Sequence, residues 1–282
     1  MRNFLKVTLL SFFLLQGAWA IECAETYGKG SINLTLATGS PGELGLVEQL
    51  VNTFAKNHDV SVCWVKAGTG KSLSLLKNKE VDFVMVHGPE AEKQAVKEGW
   101  ASDRTLLGSN EFYITGPKSD PAGVSLAKTA AEAYANIAKA KGLFYTRADN
   151  SGTHKKELFI WESAGIDPAK ESWYEANKDF MLATLKKADK TNGHFMTDSS
   201  TWVVAKKELN NLDILFRGDI VLVNTYNALK QPGLETEKKK LSKAFIDFLA
   251  SDEGQEVIRS YGVDAYGEAL YNDAAYAEKY NR

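Results

Sequence analysis

The feature that most constrains this chain is a repeating order: a short apolar run, a turn rich in Gly, Ser and Thr, then a helical pattern. Strand-like runs occur at residues 32–38, 60–67, 82–87, 111–115, 143–146, 194–197 and 219–224. Helical periodicity fills the intervals at 44–57, 71–77, 90–98, 126–141, 155–164 and 180–190, and returns at 202–209, 237–250 and 253–261. Short apolar strands alternating with helices imply an α/β class, with parallel sheets covered by helices. In open sheets of this class, ligands collect at the carboxyl ends of the strands, where helix N-termini also point. Three turns stand out there, at residues 37–43, 67–72 and 147–154.

The first twenty residues read as an export leader. Arg2 and Lys6 give a positive start, residues 7–15 are mostly apolar, and Ala18 and Ala20 place small residues at the cleavage positions. The apolar run is much shorter than the about 20 residues a membrane-spanning helix needs. Glu22 stands where lipid attachment at Cys23 would require a small residue. The mature chain is therefore expected to start near Ile21 and to be a soluble periplasmic monomer. Loss of the leader removes two of the 34 Lys and Arg residues, against 36 Asp and Glu. Nucleic-acid partners usually demand a basic excess, so none is expected. An anion would have to be drawn in by local donors, not by the overall field.

Cys23 and Cys63 are the two cysteines of the sequence. In an oxidising compartment they can pair and tie the mature N-terminus to the strand at 60–65. The alternative is that Cys63 is a buried small hydrophobe. Two cysteines cannot build a cysteine-rich zinc site.

The turn at 147–154 carries the most chemistry. Residues 143–146 read as a buried strand and 155–164 as an amphipathic helix, so Ser151, Gly152 and Thr153 fall at a strand-to-helix junction. Free backbone N–H groups and the positive end of the helix dipole gather there. Gly152 lets the backbone approach an anion, and Ser151 and Thr153 add hydroxyl donors. Arg147 adds a guanidinium fork suited to paired oxygens. These donors suit one tetrahedral anion. Asp149 is either an acceptor for a protonated anion or a brace for Arg147. The brace is preferred, because a fork must be oriented to work.

The turn at 37–43 leaves two readings open. Ser40 as N-cap, Pro41 at the first helical position and Glu43 three residues after the cap would make a capping box. Alternatively, Thr38 and Ser40 donate to the same anion as Arg147. Gly68-Thr69-Gly70-Lys71-Ser72 imitates a nucleotide-binding P-loop, but Val65 stands where that motif needs glycine. It is either a helix start offering N–H groups at Thr69 and Gly70 or a tight turn without ligand contact. The sequence has no Gly-x-Ser-x-Gly elbow and no His-Glu-x-x-His. His58, His87, His154 and His194 lack metal-ligand spacing and are expected as packed or surface residues. No enzyme activity, cofactor or metal cation is implied.

An ordered series of segments carries a family likeness: 68–73, 82–89, 110–117, 120–123, 147–157, Trp173-Tyr174 and Thr197-Asp198. The chain resembles the tungstate-binding proteins of bacterial ABC importers, relatives of the phosphate- and molybdate-binding proteins. The resemblance implies the type II periplasmic-binding fold, with two α/β lobes joined by a two-strand hinge and a ligand cleft between them. Lobe 1 would hold residues 21–115 and 224–282, and lobe 2 residues 116–223. Apart from the resemblance, the Tyr-rich end, 261–280, has no function readable from the sequence and is expected as a helix packed across the first lobe. Arg147 and Thr153 would hold the oxyanion with Ser151 and Gly152 beside them. Thr38, Ser40, Thr69 and Gly70 would form the opposite wall. The ligand implied is tungstate, or molybdate, passed to a permease in the inner membrane. The 37–43 turn has fewer hydroxyls than the family pattern and adds Glu43. A phosphate or other oxyanion carrier, a sensor of the same fold and a secreted enzyme are the alternatives.

Overall fold

The computed structural model describes residues 21–281. The expected leader, residues 1–20, lies outside the described residues. The chain opens with β1 (Glu25–Gly28), β2 (Ile32–Thr38), α1 (Ser40–Glu43), α2 (Leu46–Phe54), β3 (Val60–Lys66), α3 (Thr69–Lys77), β4 (Phe83–Val86) and α4 (Pro89–Lys97). The long strand β5 (Ser102–Pro117) leads to α5 (Ala130–Ala140), β6 (Phe144–Thr146), α6 (Gly152–Ser163), β7 (Tyr174–Ala176), α7 (Met181–Thr191), β8 (His194–Asp198), α8 (Ser199–Ala205) and β9 (Leu212–Phe216). The return runs through β10 (Val223–Lys230), α9 (Glu237–Ala250), α10 (Asp252–Ser260), α11 (Val263–Tyr266), β11 (Asn272–Asp273) and α12 (Ala274–Ala277).

Among the described residues the strands form one eleven-stranded network, in the order β1-β3-β2-β4-β10-β5-β8-β6-β7, with β9 and β11 also on β5. The pivot is β5. Its residues 102–111 pair with β10, and its residues 112–117 pair with β8 and β9. Two halves result: the first packs a core on each face of its sheet, and the second has a core of its own. In β4 the period-2 alternation sends Phe83 and Met85 to one face, with Leu36, Phe54 and Phe245. Val84 and Val86 go to the other, with Leu76 and Leu229. A strand covered on both faces reads as an unbroken apolar run, as 83–86 does. The second half centres on Phe112, Tyr134, Phe144, Trp161 and Phe195. Each such side chain contributes roughly 1.5–3 kcal/mol on full burial.

Strands β2, β3 and β4 are joined by parallel ladders, as are β6, β7 and β8. The carboxyl ends of β2, β3, β4, β6 and β8 therefore feed α1, α3, α4, α6 and α8, which sets helix N-termini at a common edge of each half. Cys23 and Cys63 form a disulfide with Cα atoms 5.3 Å apart. It staples the N-terminus beside the β1–β3 ladder, as the pairing alternative anticipates.

Several segments depart from the sequence reading. Residues 220–222 form a single 3-10 turn instead of a strand, and β10 starts at Val223. Buried Asn224, Asn227 and Lys230 disguise its apolar alternation. β1 and β9 are short, partly exposed strands whose polar residues hid them. The helix expected at 202–209 starts at Ser199, because the Asp198 side chain caps it by accepting from Thr201 N. The Tyr-rich end is not one helix. Gly262 and Gly267, in left-handed backbone at φ 97° and 79°, bound α11. β11 then pairs with β5, and Tyr271 joins the first core.

Candidate functional site

The turn between β6 and α6 is held in an unusual shape by its own side chains. Ser151 is the N-cap, its Oγ accepting from His154 N at 3.2 Å. Two non-glycine residues before it adopt left-handed backbone, Ala148 (φ 48°) and Asn150 (φ 57°). Such conformations cost on the order of 1–3 kcal/mol each and persist where surroundings enforce them. Here Ala148 N donates to Thr146 Oγ1 at 3.2 Å and Asn150 N to His154 Nδ1 at 3.1 Å. Arg147, 4% exposed, donates from Nη2 to Asp149 Oδ2 at 2.5 Å. Asp149 Oδ1 accepts from Ser151 N at 3.0 Å. Burial opposes its charge, but Arg147 and the bonds from Ser151 outweigh this and keep its carboxyl below the usual range. Held by Arg147 and by Ser151 N, Asp149 acts as the brace of the turn.

Two donors of this turn, Arg147 Nε and Thr153 Oγ1, are buried without a hydrogen-bond partner among the described residues. Leaving a buried polar group unpaired costs about 1–3 kcal/mol. Arg147 lies on the turn leading into α6 and Thr153 in its first turn, and an acceptor bound there would satisfy them.

The start of α3 faces the start of α6. A Cβ on Gly68 would lie 3.1 Å from Ser151 Cβ, and one on Gly70 would lie 2.7 Å from Asn150 O. At Gly70 a side chain would collide with the Asn150 carbonyl, and at Gly68 it would crowd Ser151. The close approach brings the open N–H groups of Thr69 and Gly70 toward those of Gly152 and Thr153, with both dipoles adding positive potential. Thr69 Oγ1 accepts from His87 N at 3.3 Å, which leaves its own proton free.

Thr38 and Ser40 are placed differently from the expectation. Thr38 Oγ1 donates to Met85 O at 2.8 Å, and Ser40 Oγ donates to Asp198 Oδ2 at 3.3 Å. In this arrangement neither hydroxyl proton is free for an anion. The capping box is also absent. Gly39 is the N-cap of α1 and Ser40 already lies inside the first turn, so Ser40 cannot cap, while Glu43 pairs with Lys66 at 2.7 Å.

The structure adds groups that the sequence reading left out of the site. Asp198 is buried; Thr201 N donates to it at 2.8 Å and Thr201 Oγ1 at 2.9 Å. Burial raises its carboxyl pKa, opposed by Thr201, Ser40 and the charge of Arg147. An Asp directly before Ser199-Ser200-Thr201 is a readable cap signal once the helix start is moved forward. The Phe180 ring lies 4.2 Å from Lys66 Nζ and 5.3 Å from Arg147 Cζ, so an aromatic face links two cations across the halves. Nothing in the sequence around Phe180 signals this. His194 packs with Nδ1 3.0 Å from Leu143 O, and His58 stacks on Phe54. A cavity of about 550 Å³ adjoins the turn, bordered by His87, Pro89, Gly152, Phe159, Ile220 and Asn224 among others. Of the eight candidate residues only Gly152 borders it; Lys155 and Lys156 also line it, beside a larger apolar wall that includes Phe159, Ile220 and Val221.

Residues 24–253 match the family described as a PBP superfamily domain. The chain belongs to the PBP (periplasmic-binding-protein) superfamily. This PBP-superfamily chain is 33% identical over 261 residues to the tungstate-binding protein TupA of Peptoclostridium acidaminophilum, covering 90% of this chain and 89% of the relative. A putative ABC transporter anion-binding protein of Haloferax volcanii is 34% identical over 263 residues, covering 89% of this chain and 75% of the relative. Among solved structures, the tungstate-binding protein TupA from Desulfovibrio alaskensis G20 superposes with a TM-score of 0.72 at 36% identity, over 86% of this chain and 99% of that one. The tungstate ABC transporter structure from Geobacter sulfurreducens gives a TM-score of 0.73 at 35% identity, over 83% of this chain and 100% of that one. The α/β periplasmic-binding class read from the sequence is the observed class.

Proposed function

We propose that this chain is an extracytoplasmic solute-binding protein that captures a tetrahedral oxyanion, tungstate, and delivers it to an ABC permease in the inner membrane. The observation that carries this reading is the pair of buried, unpartnered donors, Arg147 Nε and Thr153 Oγ1, at a helix start facing a second helix start. Tungstate and molybdate are fully deprotonated near neutral pH, so a site made only of donors suits them. Phosphate keeps a proton part of the time and is best held with an added carboxylate acceptor. Both carboxylates near the turn are engaged, Asp149 by Arg147 and Ser151 N, and Asp198 by Thr201 and Ser40. That engagement favours tungstate and molybdate over phosphate, in line with the names of the relatives.

The proposed ligand residues are Arg147, Ser151, Gly152 and Thr153 on one wall and Thr69 and Gly70 on the other. Thr38 and Ser40 join them only by leaving Met85 and Asp198. Residues 21–115 with 224–282 would form one lobe and 116–223 the other, closing on the anion about β5 and β10 as the signal for transport. Cleavage of the leader would release the chain into the periplasm. No helix among the described residues is long and apolar enough to cross a membrane. The relatives bear the names of binding proteins, and the role assigned here is binding without catalysis.

A thermal-shift series with tungstate, molybdate, sulfate, phosphate and chromate tests the assignment. A ligand at 100 times its Kd adds about 2.7 kcal/mol of stability. Tungstate should give the largest shift, with molybdate next. Stabilisation by phosphate alone would sink the tungstate reading and leave the phosphate alternative.

A further inference from the structure

The two strands that join the halves meet at a pair of buried asparagines. Asn110 on β5 and Asn224 on β10 lie directly opposite in the ladder, 2% and 4% exposed. Asparagine is disfavoured in strands, and burying two amides is costly unless each is satisfied. Here they are, and in one direction only. Ser200 Oγ donates to Leu270 O at 2.7 Å, so it accepts from Asn110 Nδ2 at 2.8 Å. The same amide nitrogen lies 3.4 Å from Asp198 Oδ1, which also only accepts. Asn110 therefore turns its oxygen to Asn224, whose Nδ2 donates to it at 2.8 Å. That leaves Asn224 Oδ1, 2.9 Å from His87 Nδ1, to accept. The chain fixes His87 as the tautomer with its proton on Nδ1.

The far end of this chain is the anion turn. A Cβ on Gly152 would lie 2.5 Å from His87 Cε1 and 2.8 Å from His87 O. The imidazole thus rests against the first residue of α6, one residue before the unpartnered Thr153 hydroxyl.

We infer that His87, Asn224 and Asn110 are positioning residues for oxyanion binding: a one-way hydrogen-bond chain through the hinge strands that seats the start of α6 against the first half. It rests on the oxyanion reading above and deepens it. Burial, with the charge of Arg147 acting in the same sense, pushes the His87 pKa down to about 4, so the ring is a neutral donor near neutral pH. None of the three residues has to touch the anion. They act through Gly152 and Thr153.

The test compares His87→Phe, which keeps a ring against Gly152 but removes the donor, with His87→Asn, which restores a donor near the Nδ1 position. Tungstate affinity and dissociation rate are measured by calorimetry and stopped flow, alongside the Tm of the free protein. His87→Phe should weaken binding roughly 10- to 100-fold, as loss of an outer-shell partner does elsewhere, mainly through faster release. His87→Asn should recover most of it. His87→Phe binding within about threefold of the parent would overturn the inference, whatever its Tm, because a purely structural bond moves Tm and not affinity. Nitrogen-15 NMR of the tungstate-bound parent gives a second test that needs no variant. A slowly exchanging proton on His87 Nδ1 supports the chain, and a proton on Nε2 alone breaks it. A parent that binds none of the five oxyanions would instead defeat the functional reading itself, a result separate from either outcome at His87.

Discussion

Replacing Arg147 by lysine separates the charge of the guanidinium from its geometry. In the parent, Nη2 holds Asp149 at 2.5 Å while Nε remains buried without a partner. A lysine keeps a positive charge but cannot both hold Asp149 and present a second fixed donor. Loss of one hydrogen bond to a charged group costs about 1.5–3 kcal/mol. With 1.4 kcal/mol per factor of ten, Arg147→Lys should weaken tungstate binding roughly 10- to 150-fold. Arg147→Ala removes the charge as well. Unit charges about 4 Å apart attract by about 4 kcal/mol at an effective dielectric of 20. The same change leaves the Asp149 carboxylate, 26% exposed, without its counterion beside the anion. Alanine should therefore cost on the order of a thousandfold or more. Asp149→Asn added to Arg147→Ala should recover part of that loss, since it removes the repelling charge. Calorimetric titration of the variants, with circular dichroism to show that each is folded, checks the series. An Arg147→Lys protein that binds tungstate as tightly as the parent would refute the role given to the fork.

Three further perturbations probe other parts of the molecule. Glu157, buried and accepting from Tyr174 Oη at 2.5 Å, has its pKa pushed up from 4.5 to about 8, chiefly by burial. The folded chain thus keeps a proton that the unfolded chain has lost, so this stabilisation is complete below pH 4.5 and disappears as pH rises through about 8. Glu157→Gln should accordingly gain Tm relative to the parent between about pH 5 and pH 8.5, and parallel profiles would show that this carboxyl does not titrate there. Replacing Cys23 and Cys63 by serine opens a cross-link between residues 40 apart in sequence. The chain-entropy relation puts its worth at about 4 kcal/mol, so the urea midpoint should fall clearly, and an unchanged midpoint would mean that the staple restrains nothing. Thr38→Val removes the donor to Met85 O and should cost about 1–3 kcal/mol of stability, with less than about a threefold change in tungstate Kd. A large loss of affinity would show that the hydroxyl leaves Met85 for the anion on binding.

The sequence was most legible where local and tertiary demands agree. Residues 83–86 are apolar on both faces because the sheet is covered on both sides there, and in 32–38 the alternation of Ile32, Leu34 and Leu36 toward one core is enough to mark a strand. The Arg147–Thr153 turn was legible because a strand, a cap and a helix start follow one another within a few residues. β10 is hard to read for the opposite reason. Its Asn224 and Asn227 are buried polar residues, and Asn224 is satisfied by a partner 114 positions away that no local pattern can show. The same long-range origin explains Thr38 and Ser40. Both are hydroxyls at a strand end, as an anion loop would supply, yet their protons go to Met85 and Asp198, the latter 158 positions distant. Asp198 is not legible as a site neighbour because apolar helical periodicity becomes clear only from Trp202, three residues after α8 begins. The left-handed backbone at Ala148 carries no sequence signal, since alanine gives no hint of a positive φ.

Anomalous diffraction at the tungsten edge, from crystals of the mature protein grown with sodium tungstate, locates the ligand directly. One strong peak is expected between the starts of α3 and α6, within hydrogen-bonding range of a bound oxygen from Arg147 Nε and Thr153 Oγ1. A peak in the apolar cavity beside His87 and Phe159, or none at saturating tungstate, would contradict the site.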